Sequence, residues 1–288
     1  MSLQKRTKEQ AKVVVIENQK GGVGKTTIAY HVACFLAELG YRVLAIDLDP
    51  QGNLSSRFLS RAERINGYRS VHMFMADRPV FAPLSTSVEV DIVYALDRDV
   101  ELGNVERIDL GAAMMSFGTN LEPLMDDYDY LVIDTPPAHG NKMTAASLAS
   151  THMFVPVELA AFAVTGVESV METLAEIGHL VGRPVKITGL ICNRIRNIEA
   201  HRTALAEMQA AAGNLHVLKS KLYANTAIDT ALRDGIPVWK KKTSGAQRES
   251  AKIMLTLMKE IGSLIGAKAK SKPGKPVKKV KQQGVTTA

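Results

Sequence analysis

The chain has 288 residues, a formal net charge of +7 and two cysteines, which is enough length to bury an α/β core in one domain. Cys34 and Cys192 are far apart with no C-x-x-C pair, which argues against a disulfide framework, a zinc site or an iron–sulfur cluster and points to a reducing cytoplasm. The apolar run after Lys5, Arg6 and Lys8 is too short for a secretory leader, and the apolar-rich stretch 153–164 is broken by Pro156 and Glu158, so neither export nor a membrane span is expected.

Residues 1–11 read as an extension, 12–266 as one domain and 267–288 as a basic tail. Val13 to Ile16 form an apolar run with the character of a buried parallel strand. Ile28, Val32, Phe35, Leu36 and Leu39 then fall at helical spacing, and Gly40 supplies the stop. Between strand and helix stands Gln19-Lys20-Gly21-Gly22-Val23-Gly24-Lys25-Thr26-Thr27, a glycine-rich phosphate loop in the context such a loop needs. Gly21, Gly22, Val23, Gly24 and Thr27 offer closely spaced backbone N–H groups to phosphate oxygens at a helix N-terminus. Lys25 is expected on the β- and γ-phosphates and the Thr26 hydroxyl on Mg²⁺. ATP and Mg²⁺ are the expected cofactors.

A second strand, Arg42 to Ile46, leads into Asp47-Leu48-Asp49-Pro50-Gln51-Gly52-Asn53. The two carboxylates are expected to face opposite sides if the strand continues, and to do different jobs. Residues 54–84 read as irregular helix with breaks at Gly67 and Pro79, and Val88 to Leu96 as a strand, followed by helix to about Asp127. Tyr130 to Asp134 is a strand feeding Thr135-Pro136-Pro137. Asp134, ending that strand, is the candidate metal carboxylate. His152 to Val157 and Val185 to Cys192 are further strands, with a helix from about Thr165 to Val181 between them. The final helix begins near Ser244 with Gln247 placed for a capping box. Its stripe of Met254, Leu257, Met258, Ile261, Leu264 and Ile265 reads as core rather than membrane surface. Strands alternating with helical segments give an α/β fold, a doubly wound and mostly parallel sheet flanked by helices.

Charge is uneven. The lysines at 268, 270, 272, 275, 278, 279 and 281 have no acid among them and equal the whole net charge. With prolines, a glycine and no aromatic, this segment is expected to be disordered and to suit a polyanion. Arg194, Arg196, Lys219, Lys221, Arg233, Lys240, Lys241, Lys242 and Arg248 add a C-terminal basic population, a candidate surface for duplex DNA without sequence preference. The scarcity of aromatics there speaks against single-strand stacking.

The loop departs from G-x-x-x-x-G-K-[ST], since Gln19 stands at the first glycine and Lys20 is added. That form, K-G-G-x-G-K-T, resembles the deviant Walker A motif of the ParA/MinD family of ATPases, and the resemblance runs from about residue 12 to 265. It implies an ATP-dependent homodimer in which Lys20 reaches the partner's nucleotide, alongside Lys25 as a catalytic lysine. It implies that Asp49, in a segment similar to the family's switch I, activates the attacking water while Asp47 supports the metal shell. It implies that Asn193, at a strand end, reads the adenine edge, and that the cluster around Leu222 lies near a second base-contacting segment. The short N-terminus is similar to the members without a helix-turn-helix domain. The expectation is a cytoplasmic, nucleoid-associated ATPase for plasmid or chromosome partition, stimulated by a ParB-like partner. The alternatives are an ATPase that positions a protein cargo and a MinD-like regulator that cycles on a membrane; an iron–sulfur carrier lacks its cysteine pair.

Overall fold

Side-chain alternation along the apolar runs sets the architecture, because successive strand residues face opposite sides of a sheet. In the computed structural model, which describes residues 10–77, 81–158, 171–172, 175–176, 178–179, 184–196, 198–241 and 243–270, β1 (Lys12–Ile16), β2 (Val43–Asp47) and β5 (Tyr130–Asp134) are adjacent central strands. Val13, Val15, Leu44, Ile46, Leu131 and Ile133 enter one hydrophobic core. Val14, Ile16, Val43, Ala45, Tyr130 and Val132 enter the other. Both faces are covered, as a parallel sheet requires.

The sheet has seven strands in the order β3-β4-β2-β5-β1-β6-β7. It is completed by β3 (Leu84–Ser85), β4 (Val90–Val93), β6 (His152–Glu158) and β7 (Gly189–Asn193). Every pairing is parallel except β3 with β4. Register matters most at the carboxyl ends. Ile16 and Asp47 both lie opposite Asp134, so the loops leaving β1, β2 and β5 start level with one another. In an open α/β sheet that edge is where ligands bind.

Among the described residues the α-helices with defined bounds are α1 (Lys25–Glu38), α2 (Ser55–Phe58), α3 (Val100–Asn104), α4 (Leu110–Asp127), α5 (Asn141–Ala149), α6 (Glu199–Ala211), α7 (Thr226–Arg233) and α8 (Gly245–Leu264). The anticipated capping box opens α8. The Gln247 amide N–H donates to Ser244 Oγ at 3.2 Å, and the Ser244 N–H to Gln247 Oε1 at 3.0 Å, a motif worth about 1 kcal/mol. Met254, Leu257, Met258 and Ile261 are buried as expected. No helix among the described residues is long and apolar enough to cross a membrane. His31 ties α1 to the turn at Val238–Lys240. Its Nδ1 lies 2.7 Å from the Thr27 carbonyl, and Nε2 accepts from the Val238 N–H at 3.2 Å. Full burial pushes its pKa down to about 4.

Several expectations need correction. Residues 54–84 are mostly not helical: a single turn at Ser55–Phe58 and a 3₁₀ turn at Ser70–Phe74 are separated by loop. The reason is tertiary, since distant side chains satisfy the backbone. Asn120 Nδ2 reaches the carbonyls of His72, Met73 and Met75, while the segment's own Arg64 reaches out to the Ala95 carbonyl. The strand expected from Val88 pairs only over Val90–Val93, and the one expected from Val185 only over Gly189–Asn193. The expected helix at 165–181 falls largely outside the described residues, although 171–172, 175–176 and 178–179 are helical.

Residues 267–270, expected to begin the tail, are docked on the body. The Lys270 N–H donates to the Leu39 carbonyl at 3.0 Å, its ammonium contacts Asp129 at 2.8 Å and lies 4.3 Å from the Tyr41 ring centre, and the Tyr41 hydroxyl bridges to Lys268. Leu39, Tyr41 and Asp129 precede β2 and β5, so this root lies at the sheet edge opposite the P-loop. The extension before residue 10, Lys242 and residues 271–288 lie outside the described residues.

Candidate nucleotide site

The P-loop leaves the end of β1 and turns into α1 through two left-handed glycines, Gly22 at φ 78° and Gly24 at φ 92°. At Gly24 the reason is visible: a Cβ there would lie 2.2 Å from Asn193 Nδ2. Asn18 shapes the turn before it. Its Nδ2 donates to the Pro156 carbonyl at 2.8 Å, and its Oδ1 accepts the Lys20 N–H at 2.8 Å. Lys25 is buried, and its ammonium donates to the carbonyls of Asn18 at 2.7 Å and Lys20 at 3.2 Å. Lys20, Gly21 and Gly22 are exposed on the same loop.

Behind Lys25 lies a concentration of buried acid. Asp134 and Asp47 are fully buried, and Glu17 and Asp49 nearly so. Burial, reinforced by Asp47 and Asp49, holds the Asp134 carboxyl well above its ordinary range, while Thr26 and Lys25 oppose the shift. Burial is also the main cause at Asp47, pushed up to about 7, and at Glu17, pushed up to about 7 against the Thr135 hydrogen bond and the Lys25 charge. The same burial lowers the Lys25 pKa, opposed by Asp134, Glu17 and Asp49. Three carboxylates, Asp134, Glu17 and Asp49, thus share the field of one ammonium, and Asp47 adds to the negative charge at Asp134. Such a site gains from added positive charge, which a divalent cation supplies.

One atom meets the test for such an ion. The Thr26 hydroxyl donates to Asp134 Oδ2 at 2.6 Å, and Asp134 Oδ1 is buried with no hydrogen-bond partner. Leaving a buried carboxylate oxygen unpaired is expensive unless a ligand completes it. Among the described residues no group of three or more His, Cys, Asp or Glu side chains is arranged as a metal cage. That pattern suits Mg²⁺, which is held by one or two protein oxygens together with water and phosphate.

Asp47 is differently placed. Its Oδ1 accepts the Asp49 N–H at 3.2 Å, and its Oδ2 accepts both the N–H and the hydroxyl of Ser55, at 2.8 and 2.7 Å. These contacts make it the anchor of the loop that carries Asp49. The expectation that the two aspartates face opposite sides is wrong. Residues two apart in a strand share a face, the strand ends at Asp47, and both carboxylates act on Asp134.

Asn193, at the end of β7, donates from Nδ2 to the Val23 carbonyl at 2.7 Å and accepts the Arg194 N–H at 2.8 Å. It therefore braces the P-loop. It also lines a cavity of about 500 Å³ with Gly24, Thr27, Leu222, Tyr223 and Asp229, so both segments expected to contact a base border one space. Arg194 and Arg196, expected on a DNA surface, line this cavity too, and Arg194 Nη1 lies 3.9 Å from where a Gly22 Cβ would be. Lys219, Arg233 and Arg248 are exposed, Lys221 is half-buried, Lys240 contacts Glu38 at 3.1 Å, and Lys241 pairs with Asp234. Lys242 falls outside the described residues.

Glu17, Ser55 and Thr135 escaped the sequence reading. The Thr135 hydroxyl lies 3.0 Å from both the Ile16 carbonyl and Glu17 Oε2, pinning the loop after β5 to the start of the P-loop. A carboxylate between an apolar strand and a glycine loop was the only signal for Glu17; nothing local marks Ser55.

Comparison with known proteins agrees with this geometry. Residues 11–187 match the family model AAA_31, described as an AAA domain. Protein IncC of Escherichia coli is 31% identical over 255 residues, covering 87% of this chain and 69% of IncC. The chromosome partitioning protein ParA of Myxococcus xanthus is 30% identical over 181 residues, covering 62% of this chain and 64% of that protein. In fold, the chain is similar to a McdA variant from Cyanothece in complex with ATP, with a TM-score of 0.75 at 22% identity over 90% of this chain and 97% of that one. The family match covers more than half of the sequence, and the deviant phosphate loop sits where the fold requires it. The chain belongs to the AAA_31 family of AAA domains and to the ParA/MinD superfamily of P-loop ATPases.

Proposed function

We propose that this chain is a Mg²⁺-dependent ATPase whose nucleotide state controls its association with duplex DNA, and that it acts in DNA partition. The observation that carries the reading is the buried Thr26–Asp134 pair with one carboxylate oxygen unpaired, set behind a loop that bears both Lys20 and Lys25. Thr26 and Asp134 would hold Mg²⁺, which neutralises developing charge on the phosphates when bound. Lys25 exchanges its loop carbonyls for phosphate oxygens. Asp49 orients the attacking water, and Asp47 holds the Asp49 loop in place through Ser55. The cavity beside Asn193 accepts the base, and Arg194 and Arg196 belong to that wall rather than to a DNA surface.

Lys20 is exposed on the phosphate loop, which suits a lysine that serves the nucleotide of a second copy across an ATP-dependent dimer. Lys219, Lys221, Arg233 and Arg248, with the five lysines beyond residue 270, supply the positive charge for phosphate contacts. A ParB-like partner would accelerate hydrolysis and release the DNA. The similarity to a protein named as a chromosome partitioning ParA supports this over the cargo-positioning and membrane-cycling alternatives.

The decisive experiment is retention of duplex DNA by the full chain with ATP, ADP and no nucleotide across a salt series, with phosphate release measured in parallel. Turnover together with a steep salt slope confined to the ATP state is the expected result. Equal retention in all three states would remove the switch, and absence of turnover would remove the enzyme.

A further inference from the structure

The loops that carry Asp49 and follow Asp134 are fastened to opposite ends of one short helical segment, Asp99 to Ile108. At its start, the Asp99 N–H donates to the Pro50 carbonyl at 2.7 Å. The buried Asp99 carboxylate caps α3 at Leu102 N, accepts Leu96 N, and receives Arg69 Nη2 at 3.0 Å. Gly52, at φ 66°, lies so close to this segment that a Cβ would meet the Leu96 carbonyl at 2.6 Å. The switch-like loop therefore packs directly against residues 96–99 at both Pro50 and Gly52.

At the other end, Glu106 receives the Asn141 N–H and the Lys142 ammonium, each at 2.5 Å. Lys142 is buried and also donates to the Leu102 carbonyl at 3.1 Å. Asn141 Nδ2 donates to the carbonyls of Val105 and Ile108 at 2.9 and 2.8 Å. Gly140, at φ 150°, approaches Glu106 where a Cβ would lie 2.0 Å from Oε2. These contacts hold the first turn of α5, and with it the far end of the loop Thr135–Gly140, against the same rigid piece. The Glu17–Thr135 hydrogen bond holds the near end.

We propose that Asp99–Glu106 is a strut that sets the distance between the Asp49 loop and the loop after Asp134, with Glu106 and Lys142 as positioning residues for hydrolysis. Neither touches the phosphate site. Their effect passes through the backbone of Asn141 and Gly140, so it falls on turnover rather than on nucleotide binding. The assignment deepens the ATPase reading and rests on it.

The test uses the full chain. Glu106→Ala and Glu106→Gln are compared with wild type for kcat, KM, binding of a fluorescent ATP analogue, and thermal midpoint. Misplacement of a reacting group by about 1 Å costs up to ~100-fold, so Glu106→Ala is expected to lower kcat by about 10-fold or more while analogue binding stays within about 2-fold. Glu106→Gln keeps one acceptor oxygen but sets its amide NH₂ against the other donor, Asn141 N or Lys142 Nζ, so its turnover is expected to fall between those of wild type and Glu106→Ala. If Glu106→Ala does not fold because Lys142 is left buried and unpaired, Glu106→Asp, shortened by one methylene, must show the same split. Wild-type kcat in the alanine or aspartate variant overturns the strut alone. Equal loss of kcat and binding in a folded variant overturns it as well. No turnover by the wild-type chain overturns the ATPase reading and the strut with it.

Discussion

Thr26 and Asp134 meet through a 2.6 Å hydrogen bond that occupies one oxygen of a fully buried carboxylate and leaves the other without a partner. Residues 108 positions apart in the chain are thereby joined at the level where β1, β2 and β5 end. If that spare oxygen is the metal side of the site, Asp134→Asn should bind nucleotide in the absence of Mg²⁺ as well as wild type does. It should lose the Mg²⁺-dependent gain and about 100-fold or more of turnover. Titration of a fluorescent analogue with and without Mg²⁺ checks this. An asparagine variant with an undiminished Mg²⁺ effect would show that the ion sits elsewhere.

Lys20 is exposed on the loop, and its backbone carbonyl is one of the two that hold the Lys25 ammonium. Lys20→Ala is expected to bind nucleotide but to lose partner-stimulated turnover, because the missing ammonium would serve a second copy's phosphates. Stimulated rates equal to wild type, measured with the partner present, would remove that role.

Asp49→Ala is expected to stall after nucleotide binding. The Asp49 side chain accepts the Gln51 N–H at 2.9 Å, so the loop loses one turn contact while Asp47 and Ser55 continue to hold it. The expected product is an ATP-bound, dimeric species that persists on size-exclusion chromatography and releases phosphate at least about 100-fold more slowly. Rapid phosphate release would reassign the water-orienting group.

Glu17 makes stability depend on pH in a known direction. Burial raises its pKa from an ordinary 4.5 to about 7, so the folded chain keeps a proton that the unfolded chain has released. Between those values the folded state binds more protons, and stability falls as pH rises. Above about pH 7 the loss is complete, and it is on the order of 3 kcal/mol for this group. Glu17→Gln preserves an acceptor for Thr135 and has no charge to bury. Its denaturation midpoint should exceed that of wild type by a margin that grows from pH 5 to pH 8. Parallel pH curves for the two proteins would contradict the assignment.

Much of the site was legible in sequence because its elements are local. The order strand, glycine loop, helix is written in residues 13–39, and Lys25 and Thr26 were placed by the glycine loop and Asp134 by its position at a strand end. The capping box at Ser244 was equally local. The misreadings have one cause: their decisive partners are remote. Residues 54–84 read as an irregular helix, yet Asn120 takes backbone carbonyls of the segment and its Arg64 and Arg69 are held by Ala95 and Asp99 outside it. Lys268 and Lys270 look like tail, yet Tyr41 and Asp129 hold them to the body.

By itself the sequence determined the parallel α/β plan, the phosphate loop with its added lysine, and the acid that closes β5. Apolar periodicity and glycine spacing act over a few residues and need no fold to be read. Only the tertiary structure decided that Asp47 and Asp49 both act on Asp134, that Asn193 braces the loop at Val23 across 170 positions, and that Glu106 fastens α5. Those relationships depend on which strands become neighbours and how deeply their ends are buried, and burial is what turns a carboxylate from a solvated charge into a group that must find a proton, a donor or a metal.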